Sequence, residues 1–387
     1  MDFALTEEQQ LIISSTREFV RRELMPHERE VEASGKLRPE LWRELKAKAI
    51  AAGLYAANMP TEVGGAGLDA VSWVLYEKEL GRTSYVLHSA CVARPSNILL
   101  ACAGAQRERY LLPAVRGERS ECLAMSEPQA GSDLRGMKTT ARQVGGDFIV
   151  NGTKHFISHA EHADFVILFA ATGEEDTPRG KRRLITAFLV DSGTPGFEVL
   201  PGYQNVSHRG YTNSILQFTD CRLPAAAVLG LVHQGFEVAN TWLGATRLQV
   251  AANCLGRAER ALEYARQWAV DRRQFGQQIG KFQGVSFKLA DMVVELRAAE
   301  LLTLEAAWKL QHKSATDADM AMAKLKATEM LAMVADEALQ IHGGMGLMTE
   351  LPLERIWRDA RIERIWDGTS EVQRHIISRA LLRPLGG

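Results

Sequence analysis

The sequence predicts a mainly α-helical protein with a small β domain set into its middle, and three observations carry that prediction. From about residue 6 to 117 apolar residues recur at helical spacing, as in Leu11, Ile12, Phe19, Val20 and Leu24. From about 118 to 228 the periodicity becomes strand-like, and glycines and prolines punctuate it. From about 229 onward, long Ala/Leu/Met-rich segments restore the helical pattern. The domains are therefore drawn at 1–117, 118–228 and 229–387. A chain of 387 residues is too long for one simple core, which agrees with several units.

Taken in order, Thr6-x-x-Gln9 is a capping box that starts the first helix. A second helix fits residues 39–52. The loop Gly64-Gly65-Ala66-Gly67 precedes a third that begins at Asp69. The run Gly65-x-Gly67-x-x-Ala70 has the outline of a dinucleotide fingerprint. Pro60, Thr61 and Glu62 interrupt the strand that should precede it, so it reads as a tight turn. An apolar helix over about 86–103 carries His88 and Arg94; either could face a ligand, and surface or satisfied placement is the preferred reading for both. In the β domain, 148–150 and 154–158 are expected to form a hairpin about an Asn151-Gly152 turn. Strands are expected at 165–169, 184–190 and 215–218, with the charged stretch 173–183 an exposed loop. Helices over about 235–270, 282–312 and 317–342 follow, the last capped by Asp317 and ended by Gly343-Gly344. With one more helix after Ser370 they make a four-helix bundle. Met320, Met322, Met330 and Met333 belong to its core.

Composition excludes several classes. Hydrophobic content of 46% and charged content of 24% are those of an ordinary globular protein. A net charge of -1 offers no whole-chain attraction for nucleic acid or a membrane surface. No run of about 18 apolar residues spans a bilayer, and the acidic start, Met1 to Glu8, lacks a signal-peptide core. The five cysteines are scattered, with no C-x-x-C pair and no His/Cys cluster, so neither a disulfide framework nor a metal site is expected. A reduced, cytoplasmic compartment follows.

The chemistry is expected near the C-terminal end. Asp367 stands between a large aromatic, Trp366, and a glycine, Gly368, just before a helix N-terminus where Ser370-x-x-Gln373 reads as a capping box. A carboxylate desolvated in this way can be tuned as a base. On local sequence alone it reads as a turn residue, because Asp-Gly is a common turn pair. More distant stretches change that reading. The run from Ala124 through Met125, Ser126, Glu127 and Pro128 to Ala130, Gly131, Ser132 and Asp133 resembles the T/S-E-P-x-A-G-S-D segment of the acyl-CoA dehydrogenase family. So do Asp271-Arg272-Arg273-Gln274-Phe275-Gly276, Gly280-Lys281-Phe282-Gln283 and Gln340-Ile341-His342-Gly343-Gly344-Met345-Gly346, in the family's order. The Asp367 stretch matches its E-G-T-S segment. The matches span nearly the whole chain and imply a helical N-terminal domain, a middle β-barrel and a C-terminal four-helix bundle.

The resemblance implies FAD as cofactor, with no metal. It places Leu123, Met125, Ser126, Gly131 and Ser132 along the isoalloxazine, with Ser126 hydrogen-bonding near N5. Phe156 stands where the family often has Trp packing on the flavin, and Ser158 where it often has Thr. Arg272, with Gln274 nearby, matches the arginine that neutralises the pyrophosphate, a task suited to its bidentate, permanently charged fork. Phe275 and Gln283 fall in the same region. Gln340, Gly343 and Gly344 permit close backbone approach to the dinucleotide, and Thr369 and Glu371 match contacts to its distal end. In the family several of these contacts reach a neighbouring subunit's FAD, which implies a homotetramer or at least a dimer. The implied reaction oxidises an acyl-CoA to the 2-enoyl-CoA, with a carboxylate taking the α-proton, hydride passing to flavin N5, and electrons leaving to electron-transferring flavoprotein.

Asp367 is the main departure, because most members carry Glu there. It is shorter by about 1.3 Å of reach. Isovaleryl-CoA dehydrogenase places its base on the first long bundle helix, but the matching residue here is Thr246, so Asp367 is expected to be the base, with room for a bulky acyl group. Ser132 and Arg247 match substrate-contact positions, and Trp366 and Gly368 are expected to touch substrate. Gly244, and His208-Arg209-Gly210-Tyr211-Thr212-Asn213, depart from the usual CoA-side pattern, and Arg209 and Arg247 read equally as ion-pair residues. The alternatives are an oxidase of the nitroalkane type, which uses an Asp base without CoA, and a non-catalytic flavin-binding protein.

Overall fold

The computed structural model describes residues 4–178 and 180–385, and the side chains of all of these except 241–243. Met1, Asp2 and Phe3 of the acidic start lie outside the described residues, as does Arg179.

The N-terminal domain holds α1 (Glu7–Phe19), α2 (Glu28–Ser34), α3 (Pro39–Ala51), α4 (Ala70–Leu80), α5 (Tyr85–Cys91) and the short α6 (Leu112–Val115). Thr6 and Gln9 form the expected capping box on α1, and Asp69 caps α4 through the Ser72 N–H. Leu11, counted as an inward residue, is 66% exposed; the buried side of this region is Thr16, Phe19, Val20 and Leu24. The helix expected over 86–103 is broken. α5 ends at Cys91, Arg94-Pro95 follows, and a single 3₁₀ turn, Asn97–Ala101, completes the segment. Pro95 lacks the N–H that a continuous helix needs, and it biases Arg94 away from helical geometry.

The middle domain is one curled sheet of β1 (Glu121–Ala124), β2 (Thr140–Val144), β3 (Asp147–Ser158), β4 (Phe165–Thr177), β5 (Gly180–Asp191), β6 (Phe197–Leu200), β7 (Asn213–Leu223) and β8 (Val228–Leu229). Its order is β6-β7-β3-β2-β4-β5-β8, and β1 runs parallel to β4. Two expectations fail here. Asn151-Gly152 is not a hairpin turn but an irregularity within the single long β3, whose register against β7 shifts between Val150 and Gly152. Asn151 exchanges hydrogen bonds with Asp220 of β7, and a Cβ on Gly152 would lie 2.5 Å from the Thr139 hydroxyl. The stretch 173–183 is not a loop but the outer half of the β4–β5 hairpin, where Glu174 pairs with Arg183, Glu175 with Arg182 and Asp176 with Lys181. Its charges sit opposite one another across the ladder, the favourable cross-strand arrangement.

The C-terminal domain contains α7 (Gly235–Asp271), the small hairpin of β9 (Arg273–Gln274) and β10 (Gln277–Gln278), α8 (Gln283–Gln311), α9 (Asp317–His342), α10 (Leu353–Glu363) and α11 (Ser370–Leu382). α7, α8 and α9 pack on one another, and α11 packs on α9, which makes the expected bundle. Helix α10 was not anticipated; it also packs on α9. Thr316, not Asp317, caps α9, in a reciprocal box with Asp319. Gly343, at φ +58°, ends it. Alanines and methionines fill the core, among them Met320 and Met330, while Met333 is only partly buried against it. α4 crosses α7 closely: a Cβ on Gly256 would fall 1.9 Å from the Lys78 carbonyl oxygen. This crossing carries the N-terminal domain onto the bundle and encloses the site.

Candidate active site

A cavity of about 1000 Å³ lies where the three domains meet. Asp367 lines it, together with Leu123, Met125, Ser126, Gly131 and Ser132 from the segment after β1, Phe156 and Ser158 from β3, Thr246 and Arg247 from α7, and Trp366, Gly368 and Thr369. Twelve of the residues predicted for the site therefore share one wall, since only Thr246 in this set was not itself predicted. The route to this convergence is local. Glu127 is fully buried and accepts from the Thr139 N–H at 3.0 Å and from Lys154 Nζ at 2.8 Å, while Lys154 Nζ also donates to the Met125 carbonyl at 3.0 Å. This pair pins the 125–127 segment beneath β3.

The turn carrying Asp367 is held from below. Asp367 is in the left-handed region at φ +50°, tolerated by Asp better than by most residues, and Gly368 follows at +88°. Lys324 Nζ donates to the carbonyls of Trp366 and Gly368, both at 2.6 Å. Gln373 Nε2 donates to the Gly368 carbonyl at 2.8 Å and the Asp367 carbonyl at 3.3 Å. Gln373 thus clamps the turn rather than closing a capping box. The cap of α11 is Thr369, not Ser370, and its hydroxyl accepts from the Val372 N–H. Ser370 is the first helical residue and donates to Glu329 at 3.0 Å.

Burial pushes the Asp367 carboxyl above the ordinary range, and Glu363 pushes the same way. Lys324, the Thr246 hydroxyl and Arg247 pull it back. Thr246 Oγ1 donates to Asp367 Oδ2 at 3.2 Å. Behind the turn, Trp366 Nε1 donates to Glu363 at 2.8 Å, and Glu363 is paired with Arg257 and lies 3.2 Å from His208 Nε2. Burial raises the Glu363 carboxyl, but Arg257 and His208 more than offset this and hold it down at about 2. Tyr85 stacks on His208 at 4.6 Å and meets Trp366 edge-on at 4.7 Å. The supporting roles of Lys324, Arg257, His208 and Tyr85 act through tertiary contacts that no local spacing signals. Gln373 and Glu363 lie within six residues of the turn, Gln373 in the place expected of a capping partner.

His88 is fully buried with both ring nitrogens unpartnered among the described residues, and Arg94 lines the cavity against Glu121, so neither is a surface group. Arg247 reaches Asp317 at 3.4 Å and also lines the cavity. Arg209 lies 3.6 Å from Glu32, outside the cavity wall.

The other predicted cofactor residues are elsewhere. Arg272, Gln274 and Phe275 sit at the end of α7, Gln283 at the start of α8, and Gln340, Gly343 and Gly344 at the end of α9; none lines the cavity. Trp268 stacks on His342 at 5.0 Å, which joins the ends of α7 and α9. From Thr246 to Arg272 is 26 helical steps, roughly 39 Å along α7. Phe275 is 94% exposed. Glu371 is exposed on α11, outside the cavity wall.

The cavity suits a flat aromatic, hydrogen-bonding group. Phe156, 54% exposed and itself in the left-handed region, presents a ring at the wall, with Tyr203 5.1 Å from it. A Cβ on Gly131 would meet nothing within 4 Å, so open space lies beside it. Ser126, Ser132 and Ser158 supply hydroxyls. Among the described residues no group of three or more His, Cys, Asp or Glu is placed to hold a metal, and no helix is long and apolar enough to cross a membrane.

Comparison with known proteins agrees along the whole chain. Residues 6–118, 122–221 and 233–382 match the N-terminal, middle and C-terminal domain models of acyl-CoA dehydrogenase. The human mitochondrial short-chain specific acyl-CoA dehydrogenase is 36% identical over 384 residues, 98% of this chain and 91% of its own length. The caffeyl-CoA reductase-Etf complex subunit CarC of Acetobacterium woodii is 35% identical over 384 residues, 98% of this chain and 99% of its own. Butyryl-CoA dehydrogenase from Megasphaera elsdenii superposes with a TM-score of 0.90 at 35% identity, covering 99% of this chain and 100% of that one. The FAD complex of PigA superposes with a TM-score of 0.91 at 30% identity, covering both chains fully.

Proposed function

This chain belongs to the acyl-CoA dehydrogenase family, and from that premise we propose that it oxidises an acyl-CoA to the 2-enoyl-CoA with Asp367 as the base. It is an oxidoreductase acting on CH–CH bonds, as its relatives are. The observation that carries the assignment is the position of Asp367: a desolvated carboxylate, on a clamped left-handed turn, in the wall of the cavity that also holds Ser126, Ser132 and Phe156.

FAD is the cofactor of the family, and the wall around Phe156, Gly131 and the three serines fits its ring. Those residues would hold the ring, and the flavin would supply hydride-accepting chemistry for the β-hydrogen. Asp367 takes the α-proton. Its weakened acidity makes it a stronger base than an exposed aspartate, and the Thr246 hydroxyl orients Oδ2. Lys324 and Gln373 keep the turn from following the substrate, so the carboxylate stays placed despite being a methylene shorter than Glu. Water is excluded by the aromatic wall of Tyr85, Tyr211 and Trp366. Arg247 and Ser132 are the expected contacts of the thioester side.

The roughly 39 Å between the cavity and Arg272 supports an assembly in which Arg272, Gln274, Phe275, Gln283, Gln340, Gly343 and Gly344 serve the cofactor of another copy. We take that assembly to be a homotetramer. Electron-transferring flavoprotein is the proposed acceptor, in keeping with the Etf complex named for the Acetobacterium relative. The five cysteines, all buried and unpaired, fit a reducing compartment, and we place the enzyme in the cytoplasm.

The test is anaerobic mixing of the yellow holoenzyme with straight, branched, cyclic and aromatic acyl-CoAs. Flavin bleaching with a thioester supports the reading. Bleaching by nitroalkanes alone, with oxygen uptake in air, replaces it with an oxidase, and a protein that purifies without flavin overturns it.

A further inference from the structure

The cavity wall holds a second carboxylate that proton abstraction does not use. Glu77 on α4 lines the cavity and is 1% exposed. It accepts from Gln249 Nε2 at 2.9 Å and from Asn253 Nδ2 at 3.0 Å. Both donors are neutral amides, and no cationic side chain among the described residues pairs with it. The neighbouring buried carboxylates are paired: Glu121 with Arg94, and Glu363 with Arg257. Burial raises the Glu77 carboxyl to about 7, the state of a group lacking a counter-charge.

Thr246, Gln249 and Asn253 lie at i, i+3 and i+7, one face of α7. Thr246 touches Asp367, while Gln249 and Asn253 hold Glu77. The two carboxylates therefore face one stripe, separated by about 5–10 Å along the helix. Both carboxylates line one cavity, so an acyl chain whose α-carbon is at Asp367 can reach Glu77. The same cavity is lined by Trp73, Tyr85, Tyr211 and Trp366, with Tyr85 and Tyr211 edge-on at 5.0 Å. A hydrocarbon tail would leave the already desolvated Glu77 without a counter-charge. Trp73 acts on the Glu77 carboxyl, and an aromatic face beside a carboxylate without a counter-charge favours a positive charge.

We propose that the natural acyl group carries an ammonium charge a few bonds beyond the thioester, seated against Glu77 and Trp73. The inference rests on the acyl-thioester reading above. Glu77 also has a structural tie, because Asn253 Nδ2 donates to its backbone carbonyl at 2.8 Å, so the experiment must read charge rather than stability. Holoenzyme is mixed anaerobically with a trimethylammonium-terminated acyl-CoA and with its neutral tert-butyl isostere. The wild type is expected to reduce its flavin with the cationic thioester at least about tenfold faster in kcat/KM, since an ion pair in a desolvated site is worth more than 1.4 kcal/mol. Glu77→Gln should remove most of that preference, and Glu77→Asp, still charged, should keep more of it than Glu77→Gln does. Equal rates in the wild type, or a preference unchanged in Glu77→Gln with FAD retained, overturn the proposal. If Glu77→Gln loses FAD, the wild-type preference and its retention in Glu77→Asp decide alone. If no thioester bleaches the flavin, the dehydrogenase reading fails by itself. Calorimetric binding of the same two thioesters then decides this inference: tighter binding of the cation supports it, and equal binding overturns it.

Discussion

Asp367→Asn separates the base from the turn that carries it. Asparagine accepts the left-handed backbone that φ +50° requires, and its side-chain oxygen can still accept from Thr246 Oγ1. The clamps from Lys324 and Gln373 bind main-chain carbonyls, so the substitution does not reach them. Removing a desolvated charge costs the fold little, and FAD content and melting temperature should stay near wild type. What disappears is the proton acceptor. A positioned base contributes about 10²- to 10⁴-fold, which is roughly 2.7–5.4 kcal/mol of barrier. Stopped-flow flavin reduction under anaerobic conditions, with the best acyl-CoA from the screen, should slow by that factor while substrate affinity changes little. Retention of the rate within about threefold, with full flavin content, would show that another group takes the proton and that the turn is only architectural.

Four further predictions follow from the same geometry. In an Asp367→Gly background, Thr246→Glu puts a carboxylate on α7 where the Thr246 hydroxyl now meets Asp367 at 3.2 Å, and flavin reduction should recover at least about tenfold over the single Asp367→Gly variant. Glu77 keeps its proton to about pH 7 when folded but loses it near 4.5 when unfolded; between those values the unfolded chain binds fewer protons, so stability falls as pH rises. Guanidinium unfolding should therefore show wild type losing up to about 3 kcal/mol more than Glu77→Gln between pH 5 and 8, and parallel curves would refute it. Arg257→Met strands the buried Glu363 and should cost about 3–5 kcal/mol, read as a lower unfolding midpoint. Lys154→Met breaks the buried pair under the 125–127 segment, and a lower unfolding midpoint should be accompanied by weaker retention of FAD at equilibrium dialysis.

Much of this protein could be read from residue order because the deciding forces are local. Thr6 and Gln9 cap a helix within one turn, Asp69 starts another, and the long Ala-rich helices of the bundle need only their own periodicity. The site segments around Ser126 and Asp367 could be recognised because each is a contiguous motif. The errors arose where a partner lay far away in the chain. Asn151-Gly152 has the composition of a turn, yet Asp220, 69 residues on, holds it straight in a strand. The charges of 173–183 look like a solvated loop until Glu175 meets Arg182 across a ladder. The two caps expected at Ser370 and Asp317 fall one residue earlier, because the neighbouring threonine is the one with non-helical backbone in each case. Sequence by itself determined the helix–sheet–helix order and the residue types available for proton transfer. Tertiary structure decided which carboxylates lost their water and which received a counter-charge. Asp367 gained a hydroxyl, Glu363 an arginine and Glu77 only two amides, because desolvation and pairing depend on what packs alongside, not on what is adjacent in the chain.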